Sequence, residues 1–297
     1  MTSTFLKWRF LVARPSKTID EYSFAARPLL FSYGTQQCGI ATGFFWKHGA
    51  QVFLVTNWHN VTGLDPSSGQ PIHSQGCRPT NFEVSFFSVA GDNTFAIRSF
   101  DLYSNGKPRW LVHHEHGKLA DVVAMPVKVP DGHTAHPINT LSHQDMKIRV
   151  GHDLFILGFP FATTIFDRGG VPTWKRASLA SEPEWQMASE VYSLVDTASR
   201  SGMSGAPVIR RTFSSTELKD GTYRIGGASK FFGIYAGRIV SSNKEDLQLG
   251  RVYERDIVEE VVTFGVPDTS AEEPPGAEKK TKLISSQHLS SANTMEL

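Results

Sequence analysis

The sequence lacks any apolar run of the roughly 18 residues that a membrane-spanning helix needs. Its first apolar stretch, residues 10–13, is flanked by basic side chains, and no small-residue cleavage site follows a long apolar core, so no secretory leader is recognisable. We therefore expect a cytoplasmic protein without a membrane partner, although a chain that has already lost a leader gives the same pattern.

Charge of one sign is also lacking, because 30 Lys and Arg residues nearly balance 29 Asp and Glu residues. The net charge of +1 offers no basic excess for a nucleic-acid backbone, so we expect no nucleic-acid partner. Cysteine is scarce as well. Cys38 and Cys77 can pair, but two thiols do not make a disulfide framework, and free thiols in a reducing compartment are the simpler expectation.

Short β-type runs bounded by Gly, Pro, Asn or Asp fill most of the chain. In the first half they are residues 43–46, 52–56, 82–89, 94–102, 110–113 and 122–127, and in the second half residues 153–159, 173–180, 191–196, 206–209 and 230–235. Many short strands with little helix between them favour a sandwich or barrels. One helix is predicted near residues 252–263, where apolar and charged side chains take opposite faces.

Residues 268–297 are predicted to be a disordered tail. They contain Pro274 and Pro275, mixed charges and many Ser and Thr residues, and such a segment buries too little apolar surface to offset its ordering entropy. We expect its removal to leave the fold intact.

The motif most suggestive of chemistry is residues 202–207, GMSGAP. Gly202 and Gly205 permit a tight turn around Ser204, in which the N–H groups of Gly202 and Ser204 can converge on one point and stabilise an oxyanion. A Ser- and Gly-rich turn before a strand is the alternative interpretation. Ser199 and Ser201 lie nearby but lack this glycine spacing, so Ser204 is the preferred nucleophile.

Two further side chains have the properties that a serine nucleophile requires. His59 follows the apolar strand 52–56, at an edge where an imidazole suits a general base. Asp121 opens the apolar run 122–127, and a buried carboxylate there needs a partner such as the ring N–H of a histidine. The alternatives are a structural histidine and a strand-initiating turn aspartate.

These segments resemble the trypsin-like (chymotrypsin-fold) serine peptidases, in particular the disulfide-free bacterial type related to HtrA. The similar stretches are LVTNWHNVTG at 54–63, LADVVAMPV at 119–127, DTASRSGMSGAPV at 196–208, GHDLFILGFP at 151–160 and FFGIYAGRI at 231–239. The resemblance covers about residues 30–260. It implies an all-β fold of two six-stranded antiparallel barrels, about 25–140 and 141–250, within a peptidase domain spanning 1–267 that ends in the helix.

The resemblance also implies a serine endopeptidase that needs no cofactor and acts on a protein or peptide substrate. His59, Asp121 and Ser204 would form the catalytic triad. No PDZ-like domain follows, and Met203 stands where secreted relatives have an acid that pairs with a new N-terminus. The cysteine pair that usually flanks the catalytic histidine is missing. The oligomeric state stays open.

The substrate pocket implied by the resemblance comprises Ala198, Ser199, Ala236, Gly237 and Arg238. Ala198 at its base carries no charge, which predicts a small or apolar residue before the cleaved bond. Arg238 offers the alternative of an acidic one, or it is a solvated rim residue.

One alternative to the serine endopeptidase is kept, and a metal site is set aside. A catalytically silent or latent peptide-binding module on the same fold is the main competitor. The His-rich run 113–116 suggests a metal, but its spacing differs from that of helical zinc-peptidase motifs, so we predict no metal site.

Overall fold

The computed structural model describes residues 19–72, 76–90, 94–160, 170–183, 191–239 and 247–275. Residues 276–297 of the predicted disordered tail lie outside these ranges. So do residues 1–18, which include the apolar stretch that was not recognisable as a leader. Among the described residues, no helix is long and apolar enough to cross a membrane.

The N-terminal half forms one antiparallel sheet of nine strands in the order β10-β4-β1-β2-β3-β9-β8-β19, with β5 paired to β4. These strands are β1 Ala26–Tyr33, β2 Gln36–His48, β3 Gln51–Thr56, β4 Asn81–Ser88, β5 Phe95–Asp101, β8 Leu111–Val112, β9 Val123–Val127, β10 His133–Thr134 and β19 Val266–Pro267. A small hairpin joins β6 Tyr103–Ser104 to β7 Lys107–Pro108. Among the described residues no strand pair closes this sheet, so closure of the expected first six-stranded barrel is not shown.

The second half contains the predicted barrel. Six strands close in the order β11-β12-β13-β18-β17-β14, all antiparallel. They are β11 Asp153–Gly158, β12 Thr173–Leu179, β13 Ser193–Asp196, β14 Pro207–Thr212, β17 Ala228–Arg238 and β18 Leu249–Glu254. The hairpin β15 Ser215–Glu217 and β16 Tyr223–Ile225 lies between β14 and β17. The mostly β fold class with a closed barrel is therefore confirmed.

Short helices occur where the strands turn. They are α1 Glu21–Ala25, α2 Trp58–Thr62 and α3 Arg255–Phe264, with 3-10 turns at Lys118–Ala120 and Ile138–Thr140. The predicted C-terminal helix is confirmed, but it begins at Arg255 because Tyr253 still belongs to β18. Val258, Val261 and Val262 form its buried face.

One apolar cluster of the described residues contains side chains from both halves. Phe44 from the N-terminal sheet and Phe231 from the barrel meet edge to face, with ring centroids 5.3 Å apart. Leu157 and Val258 belong to the same buried cluster, so the barrel and α3 both pack against the sheet. Burial of these large side chains is the main force that fixes the halves relative to each other.

The chain returns to the first sheet after α3, which the sequence did not predict. β19 pairs with β8, and Ala271 is buried in the core of the N-terminal sheet. Asp268 is 4% exposed and is hydrogen-bonded on both carboxylate oxygens. The predicted start of the tail at residue 268 is therefore too early, because residues 268–275 include packed side chains.

The two cysteines form a disulfide. Cys38 on β2 is bonded to Cys77, 39 residues later, just before β4. The expectation of free thiols is wrong, because the antiparallel pairing of β1 with both β2 and β4 brings these distant strands together. The bond lines a cavity of about 30 Å³ that His59 also lines, so a cysteine pair does lie beside this histidine.

Candidate active site

His59 is the second residue of the short helix α2. The strand β3 ends at Thr56, and Asn57 takes an extended conformation that starts the helix. Gly63 ends the helix in a left-handed conformation, and its N–H donates to the carbonyl of His59 at 2.9 Å. The His59 side chain is 12% exposed, so one part of the ring faces solvent while the rest is packed.

Asp121 meets His59 with both carboxylate oxygens. Oδ2 lies 2.8 Å from the ring Nδ1, and Oδ1 accepts the backbone N–H of His59 at 3.0 Å. The carboxylate is fully buried and acts here as an acceptor. It therefore favours the tautomer with the proton on Nδ1, which leaves Nε2 with a free lone pair.

The backbone around Asp121 is unusual. The residue follows the 3-10 turn Lys118–Ala120 with φ 41° and ψ 35°, a left-handed conformation that costs energy for any residue except glycine. The side-chain amide of Asn57 donates to the Asp121 carbonyl at 2.8 Å. This bond, together with the two bonds to His59, holds the carboxylate toward the ring.

Ser204 lies in the loop between β13 and β14 and is partly exposed. The flanking glycines both have positive φ, 95° at Gly202 and 83° at Gly205. A Cβ atom on Gly205 would lie 2.0 Å from the carbonyl oxygen of Thr42, so a side chain cannot fit there. The glycine requirement predicted for this turn is explained by positive φ and by this close approach.

The Ser204 loop docks on the N-terminal sheet. The Ser204 carbonyl accepts from the Thr42 N–H at 2.8 Å and from the side-chain amide of Asn60 at 3.3 Å. The Thr42 hydroxyl donates to the Gly202 carbonyl at 2.7 Å. Since Asn60 follows His59 directly, these bonds bring Ser204 into the neighbourhood of the imidazole. Within the described part of the chain, the Ser204 hydroxyl itself makes no hydrogen bond with His59.

Several backbone N–H groups of this loop have no acceptor among the described residues, and those of Gly202 and Ser204 are two of them. The N–H groups of Met203 and Gly205 donate to the carbonyls of Arg200 and Tyr235. Over the residues that the structure describes, the N–H groups of Gly202 and Ser204 have no acceptor. The sequence motif predicted that these two N–H groups stabilise an oxyanion, and both are available to donate to a ligand oxygen.

The predicted pocket residues differ in their surroundings. Gly237 lies beside the nucleophile candidate, since a Cβ atom there would be 3.5 Å from the Ser204 hydroxyl oxygen. Ala236 and Ser199 are buried, and the Ser199 hydroxyl is hydrogen-bonded to the hydroxyl of Tyr235. Ala198 and Arg238 are exposed.

The His-rich run is used for structure. His113 is buried, and its Nδ1 accepts the N–H groups of Glu115 and His116 while its Nε2 lies 2.6 Å from the Glu260 carboxylate on α3. The ligand atoms of His113, His114 and Glu260 lie within 4.8 Å of one another. A metal on Nε2 would require a proton on Nδ1, which already faces two N–H donors. His113 therefore fits a hydrogen-bonded joint between β8 and α3.

Several residues that support the site were missed by sequence reasoning. Asn57 and Asn60 flank His59 in the chain, which was the available signal. No local sequence pattern indicates a role for Thr42, because it lies on β2, about 160 residues before the Ser204 loop that it contacts. Asp268 lies in the stretch assigned to the tail.

Comparison with known proteins identifies the family of this chain. The family model described as "Trypsin-like peptidase domain" matches residues 41–214, which is more than half of the chain. The chain belongs to this family of trypsin-like serine peptidases, which are endopeptidases of the hydrolase class. The match does not extend to an HtrA subgroup, so that finer resemblance stays a prediction. No curated protein matches the sequence significantly.

Solved structures with a similar fold include three proteases or protease relatives. A thermostable serine protease, AL20, from an extremophilic microorganism is 13% identical, with 82% of this chain and 100% of that chain covered and a TM-score of 0.46. Protease Anisep from Arthrobacter nicotinovorans is 11% identical, with 81% and 94% covered and a TM-score of 0.46. An inactivated protease paralogue of the scabies mite is 12% identical, with 84% and 95% covered and a TM-score of 0.43.

Proposed function

We propose that this protein hydrolyses peptide bonds through an acyl-enzyme, with His59 as general base, Asp121 as its partner and Ser204 as nucleophile. The observation that carries the proposal is the two-point contact between the buried Asp121 carboxylate and His59. A histidine fixed in this way presents Nε2 as a base, which is what a serine hydroxyl needs to become nucleophilic.

The reaction follows from these roles. His59 Nε2 takes the proton of the Ser204 hydroxyl as Oγ bonds to the substrate carbonyl carbon. The same nitrogen then gives that proton to the leaving amine as the peptide C–N bond breaks. Water, deprotonated by His59, attacks the acyl-enzyme and releases the carboxylic acid, and the proton returns to Ser204. No cofactor takes part in any step.

The unused N–H groups of Gly202 and Ser204 are proposed to stabilise the oxyanion. Loss of one such donor costs about 3–4 kcal/mol of transition-state stabilisation in well-studied enzymes. Positive φ at Gly202 and Gly205 supports this role, because it keeps the loop in a conformation that leaves both donors unpaired.

Substrate selection is proposed to involve Gly237, Ala236, Ser199, Ala198 and Arg238. A Cβ atom on Gly237 would lie 3.5 Å from the Ser204 hydroxyl oxygen, so the lack of a side chain there leaves room for a substrate. We propose a small or apolar residue before the cleaved bond, because Ala198 supplies no charge. An acidic residue there is the alternative that the exposed Arg238 would favour.

The Cys38–Cys77 bond bears on the cell compartment in which the protein acts. A cytoplasmic location, expected from the sequence, is weakened by the Cys38–Cys77 bond, because disulfides persist mainly in oxidising compartments. We propose a protein or peptide substrate, without nucleic acid or membrane partners, in keeping with the balanced charge.

A silent or latent peptide-binding module remains the second candidate. The observation that favours it is the absence, within the described residues, of a hydrogen bond between Ser204 and His59. Catalytic hydrogen bonds are often loose before a substrate binds, so this observation is weaker than the His59–Asp121 geometry.

Covalent labelling with a fluorophosphonate probe tests the proposal. We expect the wild type to gain one adduct, located at Ser204 by peptide mass mapping, and Ser204→Ala to gain none. Ser201→Ala is the matched control, since Ser201 is an exposed serine of the same loop, and it should label like the wild type. A folded wild type that does not label would instead indicate the binding module.

A further inference from the structure

Residues near the C-terminus contact the helix that carries His59. The carboxylate of Asp268 accepts the indole N–H of Trp58 at 2.8 Å and the indole N–H of Trp110 at 3.0 Å, both on Oδ2. Its Oδ1 accepts the N–H and the hydroxyl of Ser270 at 2.8 and 2.7 Å. Four donors therefore converge on one carboxylate, which suits the acceptor-only ionised form.

The contact is buried. Asp268 is 4% exposed, and Trp58 and Trp110 are among the largest fully buried side chains. A buried indole N–H without an acceptor is costly, and a buried carboxylate without donors is costlier. The Asp268 carboxylate therefore holds both indole rings in place.

Trp58 is the residue directly before His59. The helix α2 has five residues, which is too short to be stable without tertiary contacts. Its orientation is set by side-chain N–H groups on both sides of the imidazole. Asn57 donates to the Asp121 carbonyl, Trp58 to Asp268 and Asn60 to the Ser204 carbonyl.

The segment that carries Asp268 is itself anchored to the N-terminal sheet. β19 pairs with β8, and the Asp268 N–H donates to the Trp110 carbonyl. Arg78 donates to the Glu272 carbonyl at 2.7 Å, and the Tyr33 hydroxyl donates to the Pro275 carbonyl at 2.6 Å. Asp268 thus approaches Trp58 from a fixed backbone.

We infer that Asp268 is a positioning residue for catalysis, which holds Trp58 and thereby aims the His59 imidazole at Ser204. The inference rests on the proposed function, because it concerns the same base. Asp268 lies outside residues 41–214, the part of the chain that the family model covers, so it adds a determinant of the site that the family pattern does not contain.

A matched pair of variants separates positioning from stability. Trp58→Phe and Trp110→Phe each remove one indole N–H donor from the Asp268 carboxylate. Each also removes the same side-chain volume from the same apolar cluster. Only Trp58 belongs to α2. A small misplacement of a catalytic group can lower the rate up to about 100-fold. We therefore expect Trp58→Phe to lower both kcat and the fluorophosphonate labelling rate about tenfold or more. KM should change by less than about twofold.

Trp110→Phe should lose a similar amount of thermal stability yet label within about threefold of the wild-type rate, because the Asp268 backbone and Trp58 stay in place. Asp268→Asn keeps an oxygen that can face both indoles, so it should retain more of the rate than Asp268→Ala. This pair decides the question if Trp58→Phe does not fold.

Equal labelling rates for folded Trp58→Phe and Trp110→Phe, or wild-type kcat in Asp268→Ala, would overturn the inference and leave the proposed function standing. Failure of the wild type itself to label is the separate outcome that would remove the proposed function. All variants are made in the full chain.

Discussion

Asp121 shows how one residue can combine a structural cost with a chemical use. It takes a left-handed backbone conformation that most residues avoid, and its carboxylate is completely buried. Both costs are offset by hydrogen bonds, two to His59 and one from Asn57 to its carbonyl. The arrangement makes Asp121 suited to fixing the tautomer of His59.

Asp121→Asn should separate orientation from binding. The amide has one acceptor oxygen instead of two, so it cannot accept from both the His59 ring Nδ1–H and the His59 backbone N–H. Its NH2 group can instead donate to Nδ1, which favours the histidine tautomer with the proton on Nε2. By analogy with the equivalent change in a well-studied triad enzyme, kcat should fall about 10⁴-fold with a small change in KM. Steady-state kinetics on a cleavable peptide, or the rate of covalent labelling, measures this.

Asp131→Asn is the control for that variant, because Asp131 is an exposed turn residue away from His59. It should behave like the wild type. If Asp121→Asn kept its full rate while remaining folded, the proposed role of Asp121 would be wrong.

At the scale of elements, the disulfide connects β2 to the segment before β4. Its loop spans 39 residues and encloses β3 and the helix that carries His59. Cross-linking a loop of this length removes conformational freedom mainly from the unfolded chain.

Replacing both cysteines by serine should therefore lower the free energy of unfolding by about 2–4 kcal/mol. Urea unfolding of wild type and Cys38→Ser/Cys77→Ser, each with and without reductant, measures the effect. Reductant should destabilise the wild type and leave the double variant unchanged. Two alkylated thiols in unfolded wild type without reductant would show that the bond is not formed.

The joint between β8 and α3 should make stability depend on pH. Burial lowers the pKa of His113 below its ordinary value of 6.5, although the Glu260 carboxylate opposes this effect. The unfolded chain therefore binds a proton more readily than the folded chain as the pH falls below about 6.5. The stability contributed by the neutral ring is present above that pH and is lost as the pH falls toward the lower folded pKa.

His113→Gln should flatten the slope of unfolding free energy against pH below about pH 6.5, because glutamine does not titrate. His48→Gln is the control, since that side chain is exposed at the end of β2. The pKa values of His136 and His152 are also lowered by burial, so part of the slope should remain. An unchanged slope in His113→Gln would contradict this interpretation.

At the scale of the whole molecule, the first and the last strand of the described residues, β1 and β19, belong to the same sheet. In this sheet β1 lies between β4 and β2, and β19 pairs with β8. Asp268, which follows β19, binds the indoles of Trp58 and Trp110. The barrel, which lies between β1 and β19 along the chain, supplies Ser204. The proposed active site therefore depends on three separate parts of the chain.

Two truncations test this dependence. A chain ending at residue 275 keeps every contact described here and should unfold like the full chain. A chain ending at residue 267 leaves two buried indole donors without an acceptor, at about 1–3 kcal/mol each, so its free energy of unfolding should fall by about 2–6 kcal/mol. Thermal and urea unfolding compare the three chains. Equal midpoints for the chains ending at 267 and 275 would support the tail boundary predicted from the sequence.

Local pattern was sufficient for much of this protein. The strand predicted at 52–56 corresponds to β3 Gln51–Thr56, and the strand at 122–127 corresponds to β9 Val123–Val127, because alternation and turn residues act over a few positions. Ser204, His59 and Asp121 were recognisable because each lies in a short motif at a strand end. The sequence analysis missed β1, which Pro28 interrupts, and the first part of β2, whose glutamines and glycines hide its pairing.

By itself, then, the sequence determined the β-rich class, the C-terminal helix and the family to which the chain belongs, since these depend on periodicity and short motifs. Only the tertiary structure decided that Cys38 bonds to Cys77, that β19 joins the N-terminal sheet, and that Asp268 contacts Trp58 across 210 positions. The physical reason is distance along the chain. Such pairings are selected by burial and by the satisfaction of buried polar groups in the complete fold, and no local window of sequence contains both partners.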